Sequence, residues 1–283
     1  VPIIERLLSA TPGYGDPARE AYTRALILAP TRELAVQIED SIVGLTYNTP
    51  VTSAAVFGGV EMGPQERALQ AGVDIVVATP GRLMDHMRHS NTDFVRVDVL
   101  VLDEADRMMD MGFWPDVQRI MAALPPDRQT LLFSATLPGE IQRMATDVLK
   151  SPRYVQVGKR GGAARTIDHQ MVQVESGAKV DWVATFTKRD STGPVLVFVR
   201  RKIDADRVAR TLASKSIKAA ALHADRSQQE RLSAVEGFRS GRLPVLVATD
   251  IAARGLDIEG IAHVINFEVP DSPETYVHRV GRT

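Results

Sequence analysis

The chain has 283 residues, a hydrophobic share of 44%, no cysteine and a formal net charge of −1. That length suggests about two domains, each large enough to bury a core. The composition excludes a disulfide framework, a thiolate metal site, a membrane span of roughly 18 apolar residues, a visible secretory signal and attraction of a polyanion by bulk charge.

A cysteine-free composition fits a cytoplasmic protein. The charge is uneven, at −6 over residues 1–157, +3 over 158–165 and +2 over 166–283. A polyanionic partner must therefore be held by a few placed groups.

The first apolar run, Ala25 to Ala29, ends in Pro30-Thr31-Arg32-Glu33-Leu34, and a helical pattern follows from Leu34 to Leu45. Asp74 to Ala78 runs into Thr79-Pro80-Gly81-Arg82-Leu83. Val97 to Leu102 runs into Asp103-Glu104-Ala105-Asp106, and Thr130 to Phe133 into Ser134-Ala135-Thr136. Pro152 to Arg165 contains a glycine-rich basic stretch without periodicity and predicts a flexible linker over 158–165, between domains at 1–157 and 166–283. Beyond it, Val195 to Val199 precedes Arg200-Arg201-Lys202 and a helical pattern from Asp204 to Leu212, and Val245 to Ala248 precedes Thr249-Asp250.

Short, continuously apolar, β-branched runs are strands buried on both faces. Alternation with helices predicts parallel sheets with right-handed crossovers, whose ligands bind outside the carboxyl ends of the strands. A Thr or Ser after one strand is ordinarily a helix N-cap. Six polar clusters on six strand ends ask for more.

The acidic cluster is the most telling. Carboxylates at the tip of a buried strand are costly unless a cation joins them, and the usual cation is magnesium with a nucleoside triphosphate. The alternative is that both acids simply favour the positive end of the following helix. Other features read as structure: Met108, Met109 and Met111 as packing, Trp114 and Trp182 as packing, Phe57, Phe133 and Phe198 as core, and His86 and His89 as surface histidines.

Taken in order, Pro30 to Ala35, Gly58-Gly59, Thr79 to Leu83, Asp103 to Asp106 and Ser134 to Thr136 resemble the first-domain motifs of the DEAD-box RNA helicases. Gln228 with Arg231, Ala248 to Ile258 and His278 to Thr283 resemble the second-domain motifs. The likeness covers almost the whole chain, and Asp110 to Asp116 resembles the bacterial RhlE-type subgroup. It implies an α/β fold of two RecA-like parallel-sheet domains around a cleft, and RNA-dependent ATP hydrolysis. Asp103 would hold Mg²⁺ and Glu104 would orient or deprotonate the attacking water. Arg279 and Arg282 would approach the phosphates from the second domain. Asp106, Ser134, Thr136 and His278 would couple the domains, and Asp257 would contact the nucleotide ribose, with Gly255 allowing close backbone approach to the nucleotide.

The same resemblance gives the RNA contacts to Thr31, Arg32, Gly59, Thr79, Gly81, Arg82, Arg200, Gln228, Arg231 and Thr249. Such contacts to phosphate and sugar carry no base information, so the binding of single-stranded RNA or a short duplex would be independent of sequence. Preference for RNA over DNA rests on the resemblance alone.

The chain departs from the family's pattern in two respects. The aromatic-plus-glutamine adenine motif and glycine-rich phosphate loop expected before the first motif are missing, and the sequence stops at Thr283, where the family continues with Gly and a further Arg. A smaller difference is Ala224 after His223, where many relatives have Gly. No G-x-x-x-x-G-K-[ST] occurs in the 283 residues. The expectation is a piece of a longer helicase, cut at both ends, that turns over ATP poorly by itself and leaves an apolar gap beside its sheet. The competing reading is a non-catalytic RNA-binding or scaffold module; a DNA-directed helicase of the same superfamily is a weaker third.

Overall fold

The structure is a computed structural model that describes residues 1–10, 22–89, 92, 94–135, 139–156, 167–189, 193–253, 258 and 260–282. The chain divides into two compact units, Val1–Val155 and Gln156–Thr283. The linker expected at 158–165 lies outside the described residues, as do Thr136, Gly255 and Asp257.

The first unit runs α1 (Pro2–Ala10), β1 (Ala25–Leu28), α2 (Arg32–Thr46), β2 (Ser53–Val56), α3 (Met62–Ala71), β3 (Ile75–Ala78), α4 (Pro80–Arg88), β4 (Val99–Leu102), α5 (Ala105–Asp110), α6 (Trp114–Ala122), β5 (Gln129–Leu132) and α7 (Gly139–Val148). Its five strands pair in parallel in the order β2-β3-β1-β4-β5. Each successive residue of a strand faces the opposite side of the sheet, and here both sides are covered. Leu26, Leu28, Val76, Ala78, Leu100 and Leu102 pack with Leu69 of α3, Leu83 of α4 and Ile120 of α6. Ala25, Ile27, Ile75, Val77, Val99 and Val101 pack with Ile4 and Leu7 of α1 and with Ala35 and Ile42 of α2. This double burial is why the runs are apolar without alternation. Each fully buried aliphatic side chain stabilises by about 1.5–3 kcal/mol.

The second unit contains α8 (Lys179–Thr187), β6 (Val195–Val199), α9 (Lys202–Ser214), β7 (Ala219–Leu222), α10 (Gln228–Arg239), β8 (Val245–Thr249), α11 (Asp250–Ala253), β9 (His263–Asn266) and α12 (Pro273–Val280). Its sheet is parallel in the order β7-β8-β6-β9. The parity rule repeats. Val195, Val197 and Val199 face α8 and α9, while Leu196 and Phe198 face α10 and α11. Trp182 stacks on Phe186, with ring centroids 5.3 Å apart, and both pack against the first of these layers.

Two expectations about packing are corrected. Phe133 is not core but 53% exposed, because the apolar run outlasts strand β5 and its last member stands past the sheet edge. His86 is not a surface residue but fully buried, since it follows Leu83 by one turn on the inner stripe of α4. Burial, followed by the charge of Arg82, holds its imidazole below the ordinary histidine range. Only His89 is exposed. Of the methionines, Met108 is in the core and Met109 and Met111 are half-buried. Phe198 is buried as expected and Phe57 half-buried.

Candidate functional site

Crossovers leaving β1 build one side of the first sheet, and the chain then returns to place β4 on β1's other side. The carboxyl ends of β1 and β4 therefore flank a topological switch point, where open α/β sheets bind ligands. Asp103 sits there. Its main-chain N–H donates to Leu28 O at 2.9 Å, fixing it against the end of β1. Its carboxylate accepts the Glu104 N–H at 3.0 Å. Burial pushes the Asp103 carboxyl above the usual carboxylate range. The Glu104 N–H and the Arg107 charge work against that shift, and Asp106 works with it.

Glu104 adopts left-handed backbone angles, φ 50° and ψ 53°. A non-glycine residue there carries strain of order 1 kcal/mol or more, and such strain concentrates at functional sites. Its carboxylate forms an ion pair with Arg107, whose side chain is only 5% exposed. The turn is laced to the neighbouring strand, since Ala105 N–H donates to Phe133 O and Phe133 N–H to Leu102 O. Asp106 is buried and accepts the Arg107 N–H at 3.0 Å, and Ser134 is half-buried just beyond Phe133. Asp103, Glu104, Asp106 and Arg107 thus form one compact charged cluster. Arg107 is absent from the sequence-based set, although its position one turn past Glu104 was the available signal.

A second group gathers along the same sheet edge. Thr31 is buried and caps α2, accepting the Leu34 N–H at 3.3 Å. Here the capping role is real, and it places Arg32 at the first helical position. The loop after β2 runs over the Arg32 guanidinium: a Cβ added at Gly59, where φ is +82°, would lie 1.9 Å from Arg32 Nη1. Arg82 Nη2 donates to Val60 O at 3.1 Å. Gln65, also missed by sequence reasoning, accepts the Phe57 N–H at 3.1 Å and donates to Phe57 O at 3.0 Å. Thr79 is buried at the cap position of α4 without a side-chain capping bond, and Gly81 has open space where a side chain would stand. The loop at 57–60 is thereby clamped by three side chains from three helices.

In the second unit the switch point lies between the ends of β6 and β9. Arg200 N–H donates to the Glu268 carboxylate at 3.2 Å, and its exposed guanidinium pairs with Asp271 at 2.7 Å. Arg279, on α12, is 4% exposed. Its Nε and Nη2 donate to the two oxygens of Asp250 at 2.6 and 2.7 Å, and its Nη1 donates to Asn266 Oδ1 and Glu268 O. It also covers the Phe198 ring at 5.1 Å. Arg279, expected to approach the phosphates, has its guanidinium turned inward in this structure and engaged by Asp250, Asn266 and Glu268 of its own unit. Half-buried His278 and Arg282 line the same small cleft. Gln228, buried, opens α10, half-buried Arg231 follows on the same helix, and Thr249 ends β8 in a buried position.

Among the described residues no group of three His, Asp or Glu side chains could hold a metal ion by itself. No helix among them is long and apolar enough to cross a membrane.

The profile described as DEAD/DEAH box helicase matches residues 1–144, and that described as helicase conserved C-terminal domain matches residues 178–283. The chain belongs to the DEAD/DEAH box helicase family. It is 41% identical, over 302 residues, to the DEAD-box ATP-dependent RNA helicase 52A of Oryza sativa subsp. japonica, in a match that covers all of this chain and 50% of the relative. The chain thus spans about half the length of that relative. Among solved structures, S. cerevisiae Dbp5 bound to RNA and ADP BeF3 matches with a TM-score of 0.84 at 30% identity, over 93% of this chain and 68% of that one. Mss116p bound to ssRNA and AMP-PNP matches with a TM-score of 0.85 at 28% identity, over 100% of this chain and 60% of that one. Both units therefore carry the RecA-like fold of this family.

Proposed function

We propose that the protein is an ATP-dependent RNA helicase that couples ATP binding and hydrolysis to local, sequence-independent separation of short RNA duplexes. The observation that carries the reading is the carboxylate pair Asp103–Glu104 at the switch point, with Asp103 desolvated and Glu104 held in a strained backbone. Relatives solved with RNA and nucleotide analogues support it.

Asp103 suits a hydrated Mg²⁺. Such an ion takes one or two carboxylates, several waters and the substrate's phosphates, and needs no cage of protein ligands. Bound there, the ion would neutralise charge developing on the γ-phosphoryl group. Glu104 would orient the attacking water and accept its proton. Arg282 is the second-unit guanidinium assigned to the phosphates. Asp106, Ser134, Thr136 and His278 are assigned to coupling the units, and Gly255 and Asp257 to the nucleotide. Arg279 is reassigned as the residue that holds α12 in place.

The clamped loop at 57–60, the starts of α2 and α4, and Arg200, Gln228, Arg231 and Thr249 form the proposed RNA-facing set. Main-chain N–H groups and cations at helix starts bind phosphate oxygens without reading bases. The cysteine-free composition agrees with a cytoplasmic setting, and Asp110 to Asp116 with the RhlE-type subgroup.

The test is RNA-stimulated ATP hydrolysis by the full-length protein and by its Glu104→Gln variant. Stimulation by RNA above that by DNA, lost in the variant while the folded state persists, is the expected result. RNA binding without hydrolysis in the parent protein would favour the scaffold reading.

A further inference from the structure

α9 and α10 lie on opposite faces of the second sheet. They are joined around the tip of edge strand β7 by a continuous set of polar contacts. Asp206 of α9 accepts from His223 Nε2 at 3.0 Å and from Arg226 Nη2 at 2.5 Å. Arg226 Nη1 donates to Glu230 Oε1 at 3.0 Å. The other Glu230 oxygen accepts the Ser227 N–H and hydroxyl, both at 2.8 Å, while Ser227 Oγ accepts the Glu230 N–H at 3.3 Å. This is a capping box at the start of α10. A second tie runs alongside, from Lys202 of α9 to Asp225 in the same turn at 2.5 Å.

His223 is 3% exposed, and its Nδ1 is buried without a hydrogen-bond partner. A carboxylate can only accept, so Nε2 carries the proton. Asp206 is thus the ring's polar anchor, and through Arg226 the same carboxylate reaches the cap of α10. The first turn of α10 carries Gln228 and Arg231.

We propose that Asp206 is a positioning residue for RNA: acting through His223 and Arg226, it fixes the start of α10 from the far side of the sheet, so that Gln228 and Arg231 meet the RNA backbone in one orientation. The inference rests on the RNA-helicase reading above. Binding to a preset surface avoids the entropy of ordering it at the moment of contact. Capping alone does not require a tie to α9, because Ser227 and Glu230 already satisfy each other. The crossing contacts add orientation to a helix start that is locally complete.

The experiment uses the full-length protein, an unstructured oligouridylate as the RNA, and steady-state ATP hydrolysis. Asp206→Asn should raise the RNA concentration giving half-maximal stimulation about five-fold, the factor for roughly 1 kcal/mol of coupling. It should leave kcat at saturating RNA and KM for ATP unchanged, and Asp206→Glu should recover most of the loss. In a background lacking both side chains it positions, Gln228→Ala with Arg231→Ala, Asp206→Asn should add nothing. A lowered unfolding midpoint with unaltered RNA half-saturation would overturn the proposal, as would an equal loss in both backgrounds. Absence of RNA stimulation in the parent protein would instead sink the helicase reading, and this inference with it.

Discussion

Arg279 and Asp250 face each other as fork and carboxylate, with two parallel hydrogen bonds of 2.6 and 2.7 Å across 29 residues of chain. The pair ties α12 to the start of α11 in a site where the arginine is nearly solvent-free. Removing one partner leaves a desolvated charge behind. Arg279→Ala should therefore cost about 3–5 kcal/mol of stability in the second unit, read by denaturant unfolding. Lysine cannot restore the two-pronged geometry and should rescue little. Arg282→Ala should stay within about 0.5 kcal/mol of the parent and yet depress ATP hydrolysis. An unchanged midpoint for Arg279→Ala would show the contact to be incidental.

Arg107 is the counter-charge buried among Asp103, Glu104 and Asp106. Arg107→Gln should destabilise the first unit by about 3 kcal/mol, at the low end for a broken buried pair. Glu104→Gln should also destabilise it. The double substitution should cost less than the two single losses combined, because it removes both charges together. Strict additivity in unfolding measurements would mean that the two side chains do not interact in solution.

Gly59 combines a positive φ with an arginine directly beneath it. Gly59→Ala should lose about 1–2 kcal/mol from the backbone alone and also displace Arg32. Trimming the arginine in the same chain, as Gly59→Ala with Arg32→Ala, should relieve the collision and leave the backbone cost. RNA affinity should fall in both variants. Retention of parental affinity by Gly59→Ala would remove this loop from the binding surface.

Gln65 satisfies main-chain groups that β2, an edge strand, leaves without a neighbour. Gln65→Leu should cost about 1–3 kcal/mol where those groups stay shielded from water, with faster hydrogen exchange at the Phe57 amide. Gln65→Glu keeps the acceptor and loses the donor, so it should fall between leucine and the parent. Equal exchange in all three chains would contradict the clamp.

Acid should loosen the turn before α10. Burial pushes the Asp206 carboxyl up, but the hydrogen bonds and charges of His223 and Arg226 outweigh it and hold the group below its ordinary value of 3.8. A depressed carboxylate stabilises the fold above its unfolded pKa, and that stability is lost as pH falls through the lower folded value. Stability of the parent should thus drop more steeply than that of Asp206→Asn as pH falls from about 4 downward. Parallel acid profiles for the two chains would rule the linkage out.

The central strands were legible because a strand covered on both faces must be written in unbroken apolar letters, as in Leu26 to Leu28 or Val99 to Leu102. The edge strands Ser53–Val56, Ala219–Leu222 and His263–Asn266 were not, since one flank needs no covering and small or polar residues suffice. Asp103 and Glu104 stood out because charge at a buried tip demands a partner. The pairing of Arg279 with Asp250 was not legible, because a guanidinium awaiting an anion and one held by a neighbouring carboxylate are spelled alike. The contacts of Gln65 and Asp206 join residues of different elements, and no local pattern marks them. His86 could have been placed correctly, for it shares a helix stripe with Leu83.

The alternation of inward faces along β4 has a consequence for how this chain can change over time. One residue inserted between Leu100 and Val101 would swap every later side chain of that strand to the wrong layer and displace Asp103 by about 3.3 Å, one strand step. Point changes at the tips leave the layers untouched. Descendants should therefore tolerate altered letters beyond the strand ends and reject any change of count within them.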